Sequence, residues 1–309
     1  MTRVAAIDCG TNSVRLLIAD IHDDGALVDV ERRMEIVRLG EGVDRTGRLA
    51  PEALERTFTA MRGYAKLIED HGAARVRVVA TSATRDAANR DDFTTGVHDI
   101  FGVDPEVVTG AEEAHLSFLG ATTGLTGVEH PVLVVDIGGG STEFVLGSSD
   151  VDSALSVDIG CVRMTERHLS LGAASGGVPS SEAVAAAVAD IEAALDRVAE
   201  AVPVDRARTL IGLAGSVTTV AGIALGLPAY DPARIHGARI AADRVHEVSR
   251  RLLTMTHDER AAIPVMHPGR VDVIAAGALI LDRILTRQGF PDVLVSEHDI
   301  LDGIARSLT

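Results

Sequence analysis

An α/β chain of two domains, each a mixed central sheet flanked by helices, follows from three observations. Short apolar runs suited to strands alternate with helical patterns along the whole chain. Each half opens on antiparallel strands, which makes the sheets mixed rather than purely parallel. Two segments, IDCGTNSVRLLI and VDIGGGSTEFVL, align without a gap: Asp8 meets Asp136, Gly10 meets Gly138, Ser13 meets Ser141 and Arg15 meets Glu143. Halves that open with the same hairpin imply a duplicated domain with a cleft between the copies. The boundary is expected in GATTGLTGVEH, which gives domains of 1–122 and 123–309, the last helix free to pack back on the first.

The elements follow in order. Val4 to Ile7 is a strand ending at Asp8; DCGTNS turns into VRLLIADI, and HDDG into LVDVERRMEIVRL. Pro51 opens a helix that runs to about Asp70, with Gly72 as its stop. RVRVVATSATR reads as a strand running into a polar loop, DDFTTGVHDIFG as a helix, PEVVTG as a short strand and AEEAHLSFLGATTGL as a helix. The second half reads as a strand, glycine turn and strand in PVLVVDIGGGSTEFVLGS, then a strand in ALSVDIGCVRM. A flexible loop over 172–182 leads into a helix through the 190s. RTLIGLAGSVTTVAGIAL is a strand, glycine turn and helix; helices fill 241–288, and DVLVSEHDILDGIARSL closes with a strand and a helix.

The 309 residues are 46% hydrophobic with a mean hydropathy of +0.21, enough to build the cores of two domains. Aromatics are only 3%, so Val, Ile, Leu and Ala must fill those cores. A net charge of −16 repels nucleic acid and anionic lipid. An anionic ligand must therefore be held by metal, by backbone N–H groups or by a few placed arginines. Lys66 is the only lysine. Two cysteines, Cys9 and Cys161, make neither a disulfide framework nor a zinc pair. The start, MTRVAAIDCG, is broken by Asp8 before a secretory apolar region forms, and no apolar run nears the roughly 18 residues of a membrane helix. The expected location is the cytoplasm.

The loop in VVDIGGGSTEF lacks the GK[ST] of a Walker loop, and a strand follows where GxGxxG needs a helix. An ordinary hairpin would also put glycine here, at positive φ. A glycine turn between strands offers another use: consecutive N–H groups can face one concavity and meet phosphate oxygens at close range. Gly138, Gly139, Gly140 and Ser141 form one such turn, and Gly10, Thr11, Asn12 and Ser13 its repeat. Gly215 and Ser216, in GLAGSVTT, lie in a third glycine loop. Asp136 and Glu143 flank the second turn; carboxylates beside bound phosphates imply a divalent cation, most simply Mg2+, with Asp8 joining through water.

Three loops of this kind resemble the actin-like (ribonuclease H-like) ATPase superfold, in which two loops hold phosphates and the third faces a nucleoside. More narrowly, the chain resembles the exopolyphosphatase/guanosine pentaphosphate phosphohydrolase family. The matching pieces are AIDCGTNSVRLLIAD, VATSATRDAANRDDF, VVTGAEEAHLSFLGA, VVDIGGGSTEFVLG, VDIGCVRMTERH, LAGSVTTVAG, RVDVIAAGALIL and VSEHDILDGI, which span nearly the whole chain. The resemblance implies Mg2+-assisted attack of water on a terminal phosphoanhydride of inorganic polyphosphate or guanosine pentaphosphate, by a homodimer. It makes Glu113, in GAEEA, the catalytic base, although a lone glutamate at a helix start ordinarily just complements the helix dipole. Adjacent residues on a helix diverge by about 100°, so only one of Glu112 and Glu113 should face the site. Arg85 in TSATR is expected to grip a phosphate, with Arg270 in PGRVD a further candidate.

The chain ends where long family members carry a helical half like HD phosphohydrolases, so it resembles the short members, with short-chain polyphosphate a candidate substrate. The dipeptides His257-Asp258 and His298-Asp299 lack the further His and Asp of an HD metal site. Leu301 stands where many members have arginine, and AGSVTT departs mildly from the usual third loop. Two other readings compete. One is a non-catalytic sensor of polyphosphate, nucleotide or alarmone. The other is an ATPase or kinase of the same superfold, for which no sugar-site motif is present.

Overall fold

The computed structural model describes residues 1–169 and 177–308. Residues 172–176 of the predicted loop over 172–182 thus lie outside the described residues. The chain divides into two compact units: Met1–Gly120 together with Asp299–Thr309, and Ala121–His298. The boundary falls two residues before the 1–122 and 123–309 reading, and the last segment belongs with the first unit, as that reading allowed for the last helix.

The first unit holds β1 (Thr2–Cys9), β2 (Ser13–Ile21), β3 (Leu27–Ile36), β4 (Arg75–Ala80) and β5 (Glu106–Val107), in the order β3-β2-β1-β4-β5. β1 to β3 are antiparallel; β4 and β5 run parallel to β1. Val4 to Cys9 are all buried because helices cover both faces of the sheet. The strand period of two sorts their side chains. Ala5, Ile7 and Cys9 join Met61, Tyr64 and Phe93 under the helices Pro51–His71 and Arg90–Phe101. Val4 and Ala6 join Leu17, Leu116 and Ile304 under Gly110–Ala121 and Ile300–Arg306. Pro51 stands at the first turn of its helix, and Gly72 caps the other end at φ 63°.

The second unit repeats the plan. Its strands are β6 (Val132–Ile137), β7 (Thr142–Gly147), β8 (Val151–Val157), β9 (Thr209–Leu213), β10 (Arg239–Ala241) and β11 (Asp292–Val295). Their order is β10-β11-β9-β6-β7-β8. An antiparallel meander (β6, β7, β8) again precedes parallel neighbours (β9, β11), and β10 adds an antiparallel edge. The two sheets thus share one strand order, with the meander on one side and the parallel strands on the other. Helices Ser181–Ala201, Ala214–Ala224, Ala242–Thr254 and Ile274–Gln288 pack on this sheet around Leu133, Phe144, Leu195 and Ile280.

Two local expectations are corrected. The polar loop after β4 is a short helix, Ser82–Asp86, because Ser82, Ala83 and Thr84 find burial there. The glycine turn after β9 is absent: helix Ala214–Ala224 starts at once, and Ala214 itself takes the left-handed backbone, at φ 66°. A non-glycine residue in that region carries strain of order 1–3 kcal/mol.

Candidate active site

The duplicated hairpins close identically. Gly10 N–H donates to Ser13 O at 3.0 Å, and Gly138 N–H to Ser141 O at 3.0 Å. None of Gly10, Gly138, Gly139 or Gly140 has left-handed φ, so the ordinary-hairpin reason for glycine does not apply. What sets these turns apart is where their carbonyls go. In the second turn Gly138 O accepts from Cys161 N–H, Gly139 O from Val162 and Arg163 N–H, and Gly140 O from Gly160 N–H, at 2.8–3.2 Å. Arg163 Nε adds a bond to Gly140 O at 2.7 Å. In the first turn Gly40 N–H donates to Thr11 O, and Val37 and Arg38 N–H to Asn12 O. These carbonyls are engaged within the protein. Among the described residues the N–H groups of Gly139 and Gly140, and those of their counterparts Thr11 and Asn12, meet no protein acceptor. The backbone at Thr11–Asn12 and at Gly139–Gly140 therefore presents donors only, the arrangement of an anion-binding nest.

Gly160 makes this backing possible. A Cβ there would overlap the carbonyl of Gly139 and the nitrogen of Gly140, backbone atoms that cannot step aside. Gly160→Ala is therefore expected to displace the second turn and lower kcat/KM on phosphate substrates by roughly a hundredfold, the scale of a displacement of about 1 Å at a site. Steady-state kinetics on the folded variant check this, and near-normal kcat/KM would count against the turn as the phosphate cradle.

The hairpins differ in their flanking charges. In the first, Asp8 and Arg15 are cross-strand partners. Arg15 Nε and Nη2 both donate to Asp8 Oδ2, at 2.9 and 2.6 Å, and its Nη1 bonds Asp299. Asp8 Oδ1 is buried and meets no partner among the described residues. Burial lifts the Asp8 carboxyl above its usual range against the pull of Arg15. Burial would raise Asp299 too, but Arg15 and Arg32 outweigh it and hold that carboxyl below its usual range. In the second hairpin the corresponding partners are Asp136 and Glu143, both buried. Glu143 Oε1 accepts from Ser156 Oγ at 2.7 Å. Like charges opposite one another in a hairpin are destabilising, and burial sharpens the repulsion. The pair fits a divalent cation that takes its other ligands from phosphate and water. Among the described residues no group of three or more His, Cys, Asp or Glu side chains is gathered as a metal site.

The first unit brings two further predicted residues together. Arg85, on helix Ser82–Asp86, donates from Nη1 to Glu113 Oε2 at 2.9 Å and to Val108 O at 3.1 Å. Its Nε and Nη2 meet no acceptor among the described residues. Thr11 Oγ1 and Ser82 Oγ share a hydrogen bond at 2.9 Å, tying the same helix to the first turn. Glu113 is 7% exposed, in the first turn of helix Gly110–Ala121, where Thr109 O accepts its N–H at 2.9 Å. Glu112 points elsewhere, its carboxylate 3.6 Å from Arg77 on the surface.

The third loop is more closed than its sequence implies. The Arg270 guanidinium lies where a Gly215 Cβ would be, and its Nη1 donates to Thr219 Oγ1 at 3.2 Å. Ser216 is buried against Gly277. Cys9 and Cys161 are buried free thiols, and burial raises both above the usual thiol range, so neither is activated. The His-Asp dipeptides form no common site. His257 is exposed beside Asp258 and Asp272, and His298 packs against His236 with tilted rings 4.7 Å apart in the second unit. Asp299 caps the last helix in the first unit. Sequence reading missed Gly160, Arg163 and Ser82 as site residues. Their signal lay only in the neighbouring motifs DIGCVRM and TSATR.

Two duplicated α/β units, each with a donor-only turn at the mouth of its first hairpin, define a phosphate-handling protein. The chain belongs to the Ppx/GppA phosphatase family, whose model matches residues 17–300. It is 50% identical to exopolyphosphatase 2 of Mycobacterium tuberculosis, over 100% of this chain and 99% of that protein. It is 29% identical to the guanosine-5'-triphosphate,3'-diphosphate pyrophosphatase of Aeromonas salmonicida, over 98% of this chain and 59% of that protein. Among solved structures, an exopolyphosphatase-like protein superposes with a TM-score of 0.94 at 41% identity, covering 99% of this chain and 97% of that one. The PPX-GPPA enzyme of Aquifex aeolicus gives 0.81 at 32% identity, covering 99% of each chain.

Proposed function

We propose that the chain is an exopolyphosphatase that releases orthophosphate from the end of inorganic polyphosphate, with guanosine pentaphosphate a second substrate. The observation that carries this reading is the second turn: a donor-only loop with two buried carboxylates, Asp136 and Glu143, opposite each other beside it. That combination asks for a polyanion together with a cation. Relatives bearing the names exopolyphosphatase and guanosine-5'-triphosphate,3'-diphosphate pyrophosphatase supply the substrate class.

Water attacks the terminal phosphorus while the bond to the bridging oxygen breaks and the shortened chain departs. Glu113 orients the water and takes its proton. Arg85 holds Glu113 through Nη1 and offers its remaining donors to a phosphate oxygen. The N–H groups of Gly139 and Gly140, with those of Thr11 and Asn12, meet the charge spread over the phosphoryl oxygens. Asp136 and Glu143 would hold Mg2+, with Asp8 through water; bound there, the ion offsets charge on the phosphate oxygens. Arg270 adds a cation for the rest of the chain. The same reading, from the family resemblance, makes the enzyme a cytoplasmic homodimer.

The deciding assay measures orthophosphate release from short-chain polyphosphate, long-chain polyphosphate, guanosine pentaphosphate and ATP, with and without Mg2+. Mg2+-dependent release from polyphosphate is the expected result. Binding without release from any substrate would instead make the protein a sensor. Release confined to ATP would return the kinase or ATPase reading.

A further inference from the structure

Residues 299–306 are bound into the first unit both by apolar burial and by charge. Helix Ile300–Arg306 buries Ile300, Leu301, Ile304 and Ala305 against β1, β2 and Leu116. Charge pins its start. Asp299 accepts from Leu301 N–H at 2.9 Å and from Arg15 Nη1. Asp302 accepts from Asp299 N–H at 3.0 Å and from Arg32 Nη2 at 2.7 Å. Both aspartates are buried. Taking such groups out of water is costly, and here each is met by an arginine and by a backbone N–H.

The same segment abuts the helix carrying Glu113. Gly110–Ala121 and Ile300–Arg306 meet backbone to backbone, each through a glycine. A Cβ on Gly120 would stand 2.7 Å from the carbonyl carbon of Asp299. A Cβ on Gly303 would stand 2.8 Å from the carbonyl carbon of Leu116 and closer still to its oxygen. Leu116 lies three residues beyond Glu113, on the same face of the helix. Neither glycine can take a side chain unless the facing backbone moves.

We propose that residues 299–306 form a positioning element for Glu113, with Gly303 and Asp299 as its positioning residues. The inference rests on Glu113 acting as the general base. Arg15 joins the base of the first phosphate turn to Asp299, and Asp299 joins the helix of the base, so turn and base keep one spacing.

The test is a double-mutant cycle on the full chain. Gly303→Ala and Asp299→Asn are each made alone and with Glu113→Gln, and kcat and KM for polyphosphate are measured on folded protein. Asp299→Asn keeps its size and an acceptor for Leu301 N–H, so it serves even where Gly303→Ala fails to fold. Each is expected to lower kcat roughly tenfold to a hundredfold with KM unchanged. Neither should lower the rate further when Glu113 is already Gln, because misplacing an absent base has no effect. Unchanged kcat in the folded variants overturns the proposal. So does an equal loss with and without Glu113, the mark of a merely structural role. A Glu113→Gln enzyme at wild-type rate removes the general-base reading first, and the positioning role falls with it.

Discussion

Glu113→Gln is expected to lower kcat on polyphosphate by roughly 100- to 10,000-fold, the range general-base catalysis supplies, while substrate binding survives. The amide can still accept from Arg85 through its oxygen, so the 2.9 Å contact and the pose of the arginine are kept. Only the capacity to take a proton from water is lost. Burial sharpens the result, since at 7% exposure little solvent competes for the same role. Steady-state kinetics paired with calorimetric polyphosphate binding separate the two effects. A near-normal rate would move the base elsewhere, and Glu112 is then excluded by its place on the surface beside Arg77.

Asp136→Asn is expected to lower activity and to blunt the response to Mg2+. The change weakens the hold on Mg2+, whose charge offset is worth several kcal/mol in the transition state. At 1.36 kcal/mol per decade that is a hundredfold or greater loss in rate. Thermal melts with and without Mg2+, beside a Mg2+ titration of activity, check this. The wild type should gain stability from Mg2+ and the variant little. An unchanged Mg2+ profile would remove the metal role from Asp136.

How much of this could be read from the chain depends on how local each signal is. The duplicated hairpins were legible because strand, turn and flanking charge lie within a dozen residues, and the turn bonds from Gly10 and Gly138 are local ones. The Pro51–His71 helix was legible because its proline and its Gly72 stop are fixed by backbone geometry alone. The helix at Ser82–Asp86 was not, since its polar sequence turns helical only by burying Ser82 and Thr84. The place of Ile300–Arg306 was open because an apolar helix face does not name its sheet. Its partners, Arg15 and Arg32, are brought to it by the fold. The strained φ at Ala214 left no trace in composition, since alanine carries no mark of a left-handed backbone. Arg85 and Glu113 could each be singled out, but their ion pair joins residues 28 apart and appears only once β4 and the following helices are placed.

The donor-only character of the two turns has a consequence for selectivity. With these carbonyls engaged, the backbone of such a turn is a rectifier for charge: it welcomes oxyanions and offers a cation nothing. It also measures one phosphoryl unit at a time, because two neighbouring N–H groups span no more than that. A turn of this kind reads a repeating polymer the way a gauge reads a single tooth of a rack. The length of the polymer, and whether a nucleoside hangs from its far end, must be sensed by side chains outside the turns.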